Sequence, residues 1–290
     1  MALTLFSPAK INLFFRVLGK RLDGYHEVAT VMQAVSLGDE VTLTPARFDR
    51  LSCSDQSLSC GESNLAWKAL ALFRRKTGCC QPFHLHLNKR IPQEAGLGGG
   101  SSNSATVLWG LNQLTSQGIA VAKLQQWAAE LSSDAPFFFS LGTAYATGRN
   151  EKIAGLPSLL KKQVVIACPH WGMSTPAVYA RCLLELCSTS EPHKLVTACQ
   201  RADFSCCVND LEPAAFALKP PLRAVKQALL DLGFRFVLMT GSGSAFYCVG
   251  APKQTRFLSS SPHLAGISFF PVSFLSRSAD HWFYPDCAST

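Results

Sequence analysis

The 290-residue chain is 48% hydrophobic and 16% charged, a balance that fills an enzyme core in one large domain or two packed lobes and excludes extensive disorder. Its net charge of +8 favours anionic partners (nucleotides, phosphorylated metabolites or nucleic acid) without choosing among them. No run approaches the roughly 18 apolar residues of a membrane helix, and the twelve cysteines, none spaced CxxC, read as reduced intracellular thiols rather than a disulfide framework.

In chain order, Ile11, Leu13, Phe15 and Val17 alternate with Asn12 and Arg16, the period of a strand with one buried face, so Lys10 and Asn12 share the other face. The apolar run after Lys10 is short and lacks a small-residue cleavage site, which argues against a secretory signal. Gly19 to Gly24 reads as a turn that sets Tyr25 and His26 just beyond it, with further strands near Glu27 to Leu37 and Glu40 to Thr44. Asn64 is an N-cap for a helix carrying Leu65, Ala69, Leu72 and Phe73, and Gly78 is its stop. Phe83, Leu85 and Leu87 alternate with His84 and His86; the two histidines leave one face of a strand, but no third metal ligand is suggested nearby.

Ser101 and Ser102 open a helix with Ala105, Leu108 and Leu111, and a second helix carries Leu124, Trp127, Ala128 and Leu131. The run Phe137 to Phe139 reads as core. A mixed stretch from Asn150 to Lys162 marks a lobe boundary, dividing the chain into residues 1–158 and 159–290. Beyond it come a strand from Val164, helices near Ala177 to Leu186 and Leu222 to Leu232, and strands near Phe234 to Met239 and Ala245 to Val249. Interleaved helices and strands in both halves give an α+β or α/β fold. Basic residues come in twos and threes, such as Arg74-Arg75-Lys76, without the long run of a nucleic-acid arm.

The densest chemical signal is IPQEAGLGGGSSNSA, Ile91 to Ala105. Glycine lets backbone amides approach an anion closely and adopt positive φ, while a helix N-terminus adds about half a positive charge. The loop Pro92, Gln93, Glu94, Ala95, Gly96, Leu97, Gly98, Gly99, Gly100, Ser101 and Ser102 is therefore a phosphate cradle, with Ser101, Ser102 and Ser104 as hydroxyl donors. It is not a Walker A loop, since the one GK pair, Gly19-Lys20, is followed by Arg21. Nor is it a dinucleotide fingerprint, since Ser101 stands at the sixth position of the motif that begins at Gly96. A second loop, Thr240-Gly241-Ser242-Gly243-Ser244, reads equally as a tight turn or as a phosphate contact.

PAKINLFFRV, DGYH at Asp23 to His26, PxxxGLGGGSSNSA, SDAPFFF at Ser133 to Phe139 and the late TGSGSAF, in this order, resemble the GHMP kinase superfamily over nearly the whole chain. Within it the chain is most similar to the kinases of 4-diphosphocytidyl-2-C-methyl-D-erythritol in the non-mevalonate isoprenoid pathway. The resemblance implies an α+β fold of two lobes, the first like ribosomal protein S5 domain 2 and the second ferredoxin-like, with the active cleft between them. It implies ATP as co-substrate, magnesium, a CDP-linked sugar alcohol as acceptor, and a bacterial cytoplasmic enzyme with neither nucleic acid nor membrane as partner. It carries the ATP loop onto Pro92 to Ser102, an adenine contact onto Asn64, and the catalytic lysine and aspartate onto Lys10 and Asp134. The cytidine pocket falls on Tyr25 and His26, with Tyr179 as a second wall and Asn12 and Thr175 as polar contacts.

Local sequence alone reads Asp134 as a helix-end cap and Lys10 as a surface lysine; only the constellation makes Asp134 the proton acceptor and Lys10 the cation holding hydroxyl and γ-phosphate. Three positions depart from the family pattern. Glu94 stands where a small residue is usual, turned outward or towards a magnesium ion, and Ser132 and Asn150 each replace a glycine. The competing readings are another GHMP kinase, acting on mevalonate, homoserine or a sugar, and a basic nucleic-acid-binding protein with an S5-like lobe; DGYH after PAKINLF argues against the first, and the second leaves the glycine loop and Asp134 without a role.

Overall fold

A computed structural model describes residues 1–159, 162–250 and 262–284. Two long strands, β1 (Leu3–Lys20) and β2 (His26–Pro45), pair antiparallel along almost their whole length through the expected turn at the DGYH motif. The two strands expected on either side of Gly38 are one. The chain stays extended there, the β1–β2 register shifts between Pro8 and Ala9, and Asp39 turns into the interior, fully buried.

One edge of β2 serves two neighbours in turn. Its first part pairs with β5 (Thr143–Gly148) and its last part with β4 (Phe83–Asn88); β3 (Arg50–Cys53) and β6 (Lys152–Gly155) close the two ends. Helix α1 (Leu65–Thr77) begins at Asn64, whose side chain accepts the Ala66 N–H, and stops at Gly78 in the left-handed conformation, as the cap residues dictate. With α2 (Gly99–Leu114) and α3 (Val121–Leu131) it covers one face of the sheet, burying Phe73, Leu85, Leu108 and Trp127 in a single core. The tri-phenylalanine run is the expected core, in a 3₁₀ turn over Ala135–Phe139.

The second sheet has the order β10-β7-β9-β8, from β7 (Gln163–Pro169), β8 (Phe236–Met239), β9 (Phe246–Val249) and β10 (Ile267–Ser273). Helices α4 (Thr175–Ala180), α5 (Pro192–Gln200), α6 (Glu212–Leu218) and α7 (Pro221–Asp231) flank it. The helix expected over Ala177 to Leu186 breaks after Ala180, and a separate 3₁₀ turn covers Leu184–Leu186. The sequence reading missed α5, α6 and β10 here, and β3, β5 and β6 in the first sheet.

The sheets meet across β1. Ile11 and Leu13 pack with Ile166, Leu238 and Tyr247, and the Tyr247 hydroxyl donates to the Leu13 carbonyl at 2.6 Å. The face read as solvent-exposed is buried too: Lys10, Asn12 and Arg16 all lie inside the protein, against Asp134, Thr240 and Asp210. The chain then returns to its first core: Leu275, Trp282 and Phe283 pack beside Trp109 and Phe139. Arg277, nine-tenths buried, donates to the carbonyls of Phe139 and Ser140 and lies over the rings of Trp109 and Trp282; burial pulls its pKa down to about 10. No helix among the described residues is long and apolar enough to cross a membrane.

Candidate active site

The base of the glycine loop is fixed by Asp39, whose carboxylate accepts the backbone N–H groups of Arg90 and Ile91 at 2.7 and 2.9 Å and the side-chain amide of Asn103 at 2.9 Å, and pairs with Lys89. Gly96 and Gly98 then have φ of 77° and 72°. A β-carbon on Gly96 would run into the Thr240 carbonyl, and one on Gly98 would stand 3.0 Å from Lys10 Cγ and 3.4 Å from the Phe138 ring. Helix α2 starts directly at Gly98, whose carbonyl accepts the Ser102 N–H. The preceding amides of its first turn have no partner within the helix and stand at the positive end of its dipole.

These residues border a cleft of about 450 Å³. Pro92 to Ser101 form one wall and Gly241 and Ser242 another, while Leu58, Leu65, Leu87 and Ile91 give an apolar end beside Asn64. On the cleft floor, Lys10 Nζ is 3.4 Å from Asp134 Oδ2 and donates to Asn12 Oδ1 at 2.7 Å. The other carboxylate oxygen of Asp134 accepts from Asn150 Nδ2 at 3.1 Å. The Ser132 hydroxyl donates to Ser101 Oγ at 2.9 Å and accepts the Ala135 N–H at 3.2 Å, which ties the Asp134 turn to the phosphate loop.

A second cavity of about 830 Å³ lies next to the first, lined by Lys20, Tyr25, His26, Arg149, Leu183 and Leu184. Asp134, Asn150, Thr175 and Tyr179 line both, so the carboxylate stands where the two compartments meet. The His26 ring lies against Tyr179, centroids 5.1 Å apart, and the Arg149 guanidinium sits 4.4 Å from the centre of the Tyr25 ring. Burial, with Lys20 adding to it, lowers the His26 pKa, so the ring is neutral near pH 7 and has one donor and one acceptor. Burial, with the Asp134 carboxylate adding to it, pushes the Tyr179 hydroxyl well above its ordinary range.

Of the residues expected at the site, Lys10, Asn64, Pro92 to Ser101, Asp134, Tyr25, His26, Thr175 and Tyr179 all border one or both cavities. Two do not. Ser102 is fully buried with its hydroxyl 2.8 Å from Ser7 Oγ, and Ser104 spends its hydroxyl on the Ser101 carbonyl, so neither is free to meet a phosphate. Asn12 is fully buried and committed: its Oδ1 accepts Lys10, its Nδ2 donates to Thr30 Oγ1 at 2.9 Å, and its N–H donates to Thr240 Oγ1 at 2.9 Å. It holds Lys10 instead of lining the second cavity. Asn64 lines the cleft, but its side chain is spent on Ala66 N and the Ser59 carbonyl.

The TGSGS loop is a turn that also faces the cleft. A β-carbon on Gly241 would stand 3.3 Å from Lys10 Nζ, and Ser242 Oγ is 2.7 Å from Thr175 Oγ1. Asp39, Lys89 and Arg149 were missed; no local pattern marks a buried aspartate inside a long strand as the anchor of a distant loop. The histidines of β4 bond the Ser52 hydroxyl, at 2.7 Å from His84 Nε2 and 2.8 Å from His86 Nδ1, and no cluster of three or more metal-ligating side chains occurs among the described residues.

Residues 64–142 match the GHMP kinases N terminal domain and residues 188–257 the GHMP kinases C terminal domain. The chain is 43% identical to a 4-diphosphocytidyl-2-C-methyl-D-erythritol kinase of Protochlamydia amoebophila, covering 97% of this chain and 93% of that one. It is 42% identical to a chloroplastic/chromoplastic kinase of the same name from Solanum lycopersicum, over 97% of this chain and 73% of that protein. A crystal structure of 4-(cytidine 5'-diphospho)-2C-methyl-D-erythritol kinase superposes with a TM-score of 0.80 at 33% identity, covering 95% of this chain and all of that one. Homoserine kinase from Cytophaga hutchinsonii shares the fold, with a TM-score of 0.72 at 19% identity over 96% of each chain.

Proposed function

The chain belongs to the GHMP kinase family, among its 4-diphosphocytidyl-2-C-methyl-D-erythritol kinases, and on that premise we propose that it transfers the γ-phosphoryl group of ATP to the 2-hydroxyl of the CDP-linked methylerythritol. The observation that carries the reading is the position of Asp134, shared by a glycine-loop cleft and a second cavity with Lys20, Arg149 and the rings of Tyr25, His26 and Tyr179. A nucleotide in the first cleft and a CDP-alcohol in the second bring phosphate and hydroxyl together at that carboxylate.

The adenine takes the apolar end of the cleft, and the triphosphate lies along Gly96 to Ser101 at the head of α2. In the second cavity the cationic Lys20 and Arg149 face the diphosphate, and the neutral His26 ring offers a donor and an acceptor to a pyrimidine edge. The alcohol oxygen attacks the γ-phosphorus, its proton passes to Asp134, and the bond to the β-phosphate breaks with its electron pair leaving on ADP. Lys10, held by Asn12 and Asp134, stabilises charge on the transferring group. Magnesium asks for one or two carboxylates and otherwise for phosphate oxygens and water, which the cleft-lining Glu94 and the Ser101 hydroxyl fit; when bound it neutralises triphosphate charge.

We assign residues 1–158 to the nucleotide-binding lobe and 159–290 to the second, a division supported by the separation of the two sheets, with Leu275 to Phe283 returning to pack on the first core. The proposed compartment is the cytoplasm of a bacterium, where ATP is supplied. The test is a substrate panel with ATP, following ADP release: the CDP-linked, UDP-linked and base-free methylerythritols, mevalonate and homoserine. A wild type that phosphorylates the base-free alcohol as efficiently as the CDP form refutes the cytidine pocket.

A further inference from the structure

Asn150 occupies the hairpin turn between β5 and β6 with φ of 83°, a left-handed conformation that asparagine tolerates better than other side chains but glycine adopts without cost. A turn residue would point its amide into solvent. This one is 7% exposed and borders both cavities. A carboxylate only accepts hydrogen bonds, so the amide nitrogen must face Asp134, and Nδ2 donates to Asp134 Oδ1 at 3.1 Å. That choice leaves Oδ1 buried with no hydrogen-bond partner among the described residues. A buried carbonyl without a partner is costly unless a ligand supplies the donor.

We propose that Asn150 is a positioning and specificity residue: its Nδ2 orients Asp134, and its Oδ1 accepts a hydrogen bond from a second hydroxyl of the acceptor, adjacent to the one that reacts. This rests on the kinase reading above. The reacting hydroxyl has a single proton, which goes to Asp134 as its oxygen bonds to the γ-phosphorus and ADP leaves with the electrons of the broken phosphoanhydride bond. Oδ1 must therefore draw its hydrogen bond from a different hydroxyl, and the site selects a polyol over a simple alcohol. In the CDP-linked methylerythritol the neighbours of the 2-hydroxyl are those on carbons 1 and 3.

The test crosses enzyme and substrate. Wild type and Asn150→Gly are assayed with the full acceptor and with its 1-deoxy and 3-deoxy analogues. Glycine satisfies the turn, so the thermal midpoint of the variant should equal or exceed that of the wild type. In the wild type, removing one of the two hydroxyls should lower kcat/KM by about 10- to 100-fold, the range for losing one hydrogen bond in a buried site. Asn150→Gly should lose a similar factor, mainly in kcat, on the full acceptor and little more on that analogue, with the KM for ATP unchanged. The inference is overturned if the variant keeps the wild-type kcat, or if it discriminates against both analogues as sharply as the wild type does. Failure of the kinase reading looks different, because it appears in the wild type as inertness towards the CDP-linked alcohol.

Discussion

Replacing Gly98 by alanine tests how closely the glycine loop and Lys10 are built together. The new β-carbon would stand 3.0 Å from Lys10 Cγ and 3.2 Å from its Cε, tighter than ordinary contact, and 3.4 Å from the Phe138 ring. Phe138 is fully buried in the core, and the Lys10 backbone is tied to the Leu97 carbonyl at 2.9 Å, so the lysine side chain must give way. At φ of 72° the alanine itself costs about 1–2 kcal/mol, a fall in thermal midpoint of about 2–8 °C for a chain of this size. The kinetic effect is larger, since moving a positioning group by about 1 Å costs on the order of 100-fold in turnover. Thermal unfolding and steady-state phosphoryl transfer on the same preparation separate the two effects. A folded Gly98→Ala enzyme with wild-type kcat would show that Lys10 does not act where the structure puts it.

Asp134→Asn should leave the fold and ATP affinity nearly intact and lower kcat by about 10²- to 10⁴-fold, read by calorimetry and ADP release; most of the turnover surviving would remove Asp134 from the reaction. Tyr25→Ala should raise the KM for the CDP-alcohol by about 1–3 kcal/mol of lost stacking, with ATP affinity unchanged, and Arg149, which covers one face of the ring, leaves the other face to the base. His26 has a lowered pKa, so its neutral form persists below the ordinary value of 6.5, and the KM for the CDP-alcohol should stay flat through that pH and rise only further into acid. Lys20→Gln removes one cause of that lowering and should move the rise to higher pH, while His26→Ala should abolish it.

Much of this was readable from residues because caps and phosphate loops act locally. Asn64 and Gly78 terminate α1 by their own hydrogen bond and φ, and the glycines of the loop are explained by what stands against them. The failures were long-range. Alternation in β1 predicted one wet face, but the Lys10 and Asn12 side is closed by partners distant in sequence: Lys10 stands against Asp134, Arg16 against Asp210, and Asn12 bonds Thr240. For the same reason Asn12 could not be distinguished from a substrate contact: its partners Thr30 and Thr240 come from two other elements. Ser102 looked like a phosphate donor because the sequence does not show that Ser7 lies beneath it. Helices α5 and α6 begin at or beside prolines and span only nine and seven residues, too short for periodicity to stand out.

Arg277 ties the segment after β10 to the segment that carries Asp134. Its guanidinium holds the carbonyls of Phe139 and Ser140, at the C-terminal end of the 3₁₀ turn that begins at Ala135. Synthesis proceeds from the N-terminus, so the glycine loop, Lys10 and Asp134 all leave the ribosome well before this clasp exists. A nascent chain can fold its first sheet and helices, yet the turn under Asp134 stays unbraced until Leu275 to Phe283 have emerged and packed against Trp109. A chain halted after β10 would be a scaffold in which the turn beside Asp134 is not yet braced by Arg277.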